Sequence, residues 1–157
     1  MVALFAFAAS VDDPNAVKAG LQKEMNKYVA AMKKKDYPTV EKVIKANFAP
    51  EFKETDMAGT ARSLDQTLGI LRQQITQLKS IDTMTYTITS FKIAGKVGSS
   101  TEHMVLNATI AGGDGKTSKL KVDSEWAGTF QKRGAKWLCI GSRNTKQKVL
   151  IDGKPVG

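Results

Sequence analysis

A single cysteine, Cys139, and a single histidine, His103, serve the whole chain of 157 residues. One cysteine excludes an internal disulfide framework, and the pair together excludes the Cys/His spacings that hold structural zinc. Cys139 lies in the apolar run WLCI, where nothing nearby would lower its pKa, so it is read as a buried hydrophobe. No glycine-rich loop of the phosphate-cradling type occurs, so neither a cofactor nor a metal is expected. Arginine is scarce too, with Arg62, Arg72, Arg133 and Arg143 the only ones. Lys+Arg 24 against Asp+Glu 15, a net charge of +9, is therefore mainly a lysine surface. Readers of bases and phosphates lean on arginine's planar fork, so nucleic acid is not the expected partner.

Long hydrophobic runs are missing as well. The opening MVALFAFAAS is too short to span a bilayer. Its apolar body and small closing residues resemble the end of a secretory signal, although no basic stretch precedes it. Residues 1–12 are read as the remnant of such a signal or a disordered N-terminus, and 13–157 as one domain of a secreted or periplasmic protein, cytoplasmic if that signal reading fails.

What is present is three helices followed by strands. Asp13 and Pro14 start a helix that should run to about Lys35, with Val17, Leu21, Met25, Tyr28 and Met32 on one stripe. Asp36 and Pro38 start a second, with Val40, Val43, Ile44 and Phe48 inward, ending before Pro50. The polar FKETDMAGTA, Phe52 to Ala61, predicts a short hairpin or an irregular excursion. Ser63 and Gln66 form a capping box for a third helix, whose stripe is Leu64, Leu68, Leu71, Ile75 and Leu78.

The remainder alternates. Met84, Tyr86 and Ile88 face one way, but Phe91 and Ile93 change parity, which predicts a bulge near Ser90 and a curved sheet. Met104, Leu106, Ala108 and Ile110 share a face, and Gly112 to Gly115 make a hairpin turn. Leu120, Val122, Ser124, Trp126 and Phe130 share the next, with Lys119, Lys121, Asp123 and Glu125 opposite, as cross-strand charge partners. His103 falls with Val105 and Asn107 on the less apolar side.

Three helices before a long curved meander resembles the NTF2-like superfamily, an α+β cone in which helices pack on a curved antiparallel sheet. KYVAAMKKKDYPTVEKVI resembles that family's helical hairpin, and PEFKETDMAGTARS its excursion before the third helix. DGKTSKLKVDSEWAGTFQKRGAKWLCIGS is similar to the terminal hairpin of SnoaL-like and DUF4440-like members. A more distant resemblance to ketosteroid isomerases implies roles for Tyr28 as a donor to an enolate oxygen and Asp56 as a base. The third group of those enzymes, a protonated acid, falls on Ser124 here, with Asp123 retained only if a bulge shifts the parity. The resemblance implies a pocket lined by Met25, Tyr28, Met32, Tyr86, Met104, Leu106, Ser124 and Trp126, holding a small, largely apolar molecule. A cofactor-independent isomerase, cyclase or dehydratase is the alternative, and a dimerisation module using the outer sheet face is another.

Overall fold

Asp13 accepts a hydrogen bond from the Asn15 amide at 3.0 Å and starts α1, Pro14–Lys33. Two residues later than its last turn the chain reverses at Lys35, whose φ of 56° ends the helix short of the expected boundary. Asp36 then caps α2, Tyr37–Asn47, through the Thr39 amide. Phe48, expected inside this helix, instead opens β1, Phe48–Thr55, because Pro50 cannot continue a helix and biases its neighbour to extended backbone. The expected excursion is a hairpin: β1 pairs with β2, Ala61–Ser63, across a turn at 56–60. Ser63 and Gln66 complete the capping box of α3, Leu64–Gln77.

The computed structural model describes residues 11–112 and 114–156; the signal expectation for residues 1–10 and Gly113 of the expected turn lie outside them. The long strands follow as β3, Leu78–Ala94, β4, Val97–Ala111, β5, Thr117–Arg133, and β6, Lys136–Ile151, with the two-residue β7, Lys154–Pro155. The order across the sheet is β2-β1-β6-β5-β4-β3, with β7 on β6. Neighbours are antiparallel except β1 and β6, which run parallel, so the sheet is mixed where an antiparallel one was expected. That pairing follows from the helices: α3 carries the chain from β2 to β3 at the far edge, leaving β1 to receive the last long strand. The β3–β4 register slips between Ile88 and Ser90, where the change of parity predicts a bulge.

The core lies between the concave face and the helices. Val40 and Phe52 are fully buried at its centre, and Phe91 stacks edge-on against Phe130 and Trp137 with centroids 5.3 and 5.9 Å away. Helix α1 runs along the outer edge of the sheet. Its Gln22 side chain donates to the Tyr86 carbonyl at 2.7 Å and accepts from the Ile88 amide at 2.8 Å, as a neighbouring strand would. Lys18 and Lys35 add bonds to the carbonyls of Thr89 and Leu78.

Candidate functional site

The buried polar side chains of the described residues fall together: Ser100, Glu102, Ser124 and Asn144 all project from the concave face of β4, β5 and β6. Glu102 is 7% exposed and stands directly opposite Trp126, which in turn faces Asn144. Its carboxylate has no cation within salt-bridge reach among the described residues. Instead the Tyr86 hydroxyl donates to Oε2, and the Ser100 hydroxyl to Oε1 at 2.5 Å. Burial pushes the Glu102 carboxyl up from its ordinary value, against the smaller downward pull of the two hydroxyls. A carboxyl so placed keeps its proton above the usual range. With that proton, three O–H groups share two contacts, so one donor is left for a further acceptor.

Space for this cluster comes from Gly128. A Cβ there would collide with Ser100 Oγ and lie 2.8 Å from Glu102 Oε1. Glu54, Ser142, Gly128, Ser100 and Phe91 form one row across five strands, a trough of small side chains with a carboxyl at its β1 end. Burial raises the pKa of Glu54, partly offset by Arg62, whose guanidinium lies 3.6 Å away.

Tyr28 closes the cluster from α1. Its ring meets Tyr86 edge-on with centroids 6.2 Å apart, and its hydroxyl is the deep end, where burial and then the Glu54 charge raise its pKa. Burial likewise pushes the Tyr86 hydroxyl and the Cys139 thiol up, and the Glu102 charge adds to both. The arrangement is thus two tyrosines and two carboxyls, all held toward their neutral forms by burial, with Tyr28 and Tyr86 in contact between them. Such groups can donate to a carbonyl and exchange a proton with a ligand.

The residues proposed from sequence divide. Tyr28 and Tyr86 meet. Met32 and Ser124 are buried, Ser124 accepting from the Trp126 indole N–H at 3.0 Å, and Met25, Met104, Leu106 and Trp126 are half-buried. Asp56 sits in the β1–β2 turn, where Oδ1 accepts from the Ala58 and Thr60 amides and Oδ2 from Arg62 at 2.8 Å. Those bonds, the Thr60 amide first, hold its carboxyl below the usual range. Asp123 points from the convex face and bonds His103 Nε2 at 2.8 Å, both side chains near half exposure. Two clefts stand open on the surface, of about 590 and 290 Å³, and neither is lined by Tyr28, Tyr86, Ser124 or Trp126.

Glu102 and Glu54 are absent from the sequence-based site. Glu102 shares the parity of Met104 and Leu106, so extending that stripe backwards by one step finds it. No comparable signal marks Glu54, because Tyr28, whose pKa its charge raises, is 26 residues away on another element. Among the described residues, no group of three or more His, Cys, Asp or Glu side chains could hold a metal ion, and no helix is long and apolar enough to cross a membrane.

This architecture is the NTF2-like fold. A conserved protein from Planctomyces limnophilus superposes with a TM-score of 0.65 at 13% identity, over 90% of this chain and 99% of that one. A nuclear transport factor 2 (NTF2-like) superfamily protein from Salmonella enterica gives 0.60 at 14%, over 85% and 92%. A ketosteroid isomerase-like protein from Erwinia carotovora atroseptica gives 0.56 at 13%, over 87% and 99%. At these identities the likeness is one of fold. No protein-family model matches the sequence, and no curated protein matches it either.

Proposed function

We propose that this chain is an exported small-molecule-binding domain, whose ligand has an apolar body and one acceptor group directed at the Tyr86–Glu102–Ser100 cluster. The observation that carries the reading is Glu102, a carboxyl buried without a cation beside two hydroxyls, over a glycine that alone leaves it room. Keeping such a carboxyl away from water carries a desolvation cost that its two hydroxyl partners offset only in part. The test is a titration with Prodan, a neutral naphthyl ketone whose emission shifts to the blue when it leaves water for apolar surroundings. Saturable blue-shifted binding is expected, weakened roughly ten-fold by Tyr86→Phe, the worth of about one hydrogen bond. Absence of any saturable shift sinks the reading.

Proton transfer is the second reading. It is favoured by the raised pKa of Glu54 beside Tyr28, whereas Asp56 is committed to its own turn. Exchange of the Prodan α-protons for deuterium, lost in Glu54→Gln and kept in Asp56→Asn, would support it. The association module is the third, and the lack of an opening from either surface cleft onto Tyr28 and Tyr86 speaks for it. A chain that binds no ketone but dimerises through the convex face would answer to that description.

A further inference from the structure

Neither surface cleft is lined by Tyr28, Tyr86 or Glu102, so a ligand bound at the interior cluster would reach it by another route. Helix α1 is the element built to open such a route. Only Ala31 and Met32, at its C-terminal end, are buried, while Val17, Leu21, Met25 and Tyr28 are half-buried. The C-terminal end runs into the sharp reversal at Lys35 and the Asp36 cap, a fixed pivot.

The remaining length packs on the core through Val17, Leu21 and Tyr28 and is held by polar bonds at three places, one of them to α2, where Asn47 donates to Glu24 Oε2 at 3.4 Å. Just before the helix, Asp12 Oδ2 accepts from the Trp137 indole N–H at 2.8 Å and pairs with Lys132 at 2.7 Å, fastening the chain to the β5–β6 hairpin. Halfway along, Gln22 bonds Tyr86 and Ile88 of β3, with Lys18 beside it on Thr89. These bonds are made at half-exposed side chains, where water competes for the same groups. The Gln22 latch also closes over the residue that matters: it holds the backbone of Tyr86, whose ring meets Tyr28 and whose hydroxyl meets Glu102.

We infer that α1 is a strap, pivoting at Lys33–Asp36 and latched by Asp12 and Gln22, whose release admits a ligand to the Tyr28–Tyr86–Glu102 interior. This rests on the interior-pocket reading above. Opening lifts the Tyr28 side chain off Tyr86 and frees the spare hydroxyl donor of the cluster. The approach is then the seam between α1 and β3, not the mouth of either surface cleft.

The experiment measures opening and entry separately. Amide hydrogen exchange reports opening without any ligand: Asp12→Asn, which leaves the Gln22–Ile88 bond in place, should speed exchange at Ile88 roughly ten-fold while the β4–β5 ladder is unchanged. Stopped-flow mixing with Prodan reports entry, and both Asp12→Asn and Gln22→Met should raise its association rate by several-fold. Cysteines placed at Lys18→Cys and Thr89→Cys, joined by a cleavable dithio-bismaleimide, should cut that rate at least ten-fold and recover it on reduction. Cys139 is buried and should stay unreacted. Entry at an unchanged rate in the joined protein overturns the strap while leaving the binding reading intact. Unchanged Ile88 exchange in Asp12→Asn also overturns it. Failure of every form to bind Prodan overturns the pocket reading and the strap with it.

Discussion

A carboxyl buried without a cation binds its proton more tightly in the folded chain than in the unfolded one, and stability must then depend on pH in a definite direction. For Glu102 the folded value is raised above the ordinary 4.5, mainly by burial. Its contribution is therefore fully present below that ordinary value and is lost as pH rises through the raised one. Glu102→Gln keeps the shape and removes the titration, so the urea midpoint of the native chain should fall relative to the variant between mildly acid and neutral pH. A constant difference between the two proteins would count against a neutral Glu102. The hydrogen-bonded aspartates act oppositely: Asp36, Asp56 and Asp82 have lowered values, so their contribution is present above the ordinary 3.8 and fades as pH falls through those values. Gly128 is the companion test. Gly128→Ala drives a methyl into Ser100 and Glu102, and should cost roughly 1–3 kcal/mol by denaturant unfolding, with Prodan binding lost even where folding survives.

Capping residues made the helices readable in advance. Asp13, Asp36 and Ser63 each stand where a side-chain oxygen satisfies an early amide, and each begins a helix in the folded chain. Ser63→Ala should lower stability by about 1 kcal/mol and leave ligand binding unchanged, measured by thermal unfolding with and without Prodan. The strand alternation was equally legible, down to the slip near Ser90, because one face packs on helices and the other on water. What sequence alone hid was any contact made between distant elements. The parallel pairing of β1 with β6 joins Phe48 to Cys139, and no local pattern announces it. In the sequence Glu102 reads as a charged interruption of an apolar stripe, and it is the hydroxyls of Tyr86 and Ser100 with the missing side chain of Gly128 that make it tenable there. Asp56 drew notice as a candidate base through a resemblance, but a turn that needs an acceptor for Ala58 and Thr60 explains it first.

The surplus of lysine is partly absorbed in the sheet. Lys146 pairs with Glu125 at 3.0 Å and Lys119 with Asp82 at 2.9 Å, so the convex face is a field of alternating charges and threonines and not a uniform positive plate. We expect this face, with His103 and Asp123 at its centre, to join two copies of the chain. Sedimentation at high micromolar concentration should show a dimer, and Asp123→Lys, which sets two lysines opposite each other at Lys148, should weaken it at least ten-fold. Monomer alone at that concentration would remove the dimer. Export, expected from residues 1–10, would appear as a chain recovered outside the cytoplasm that begins near Ala9 to Val11.

Edge strands of the length of β3 are dangerous to the proteins that carry them. Seventeen residues rich in threonine and isoleucine offer a row of peptide groups on which another chain could grow in cross-β fashion. Gln22 occupies two of those groups with a side-chain amide, a peptide bond in miniature that ends the ladder because nothing can pair beyond it. A chain whose first helix is slow to dock would carry that edge bare, and its failures in folding would take the form of fibrils instead of loose coils.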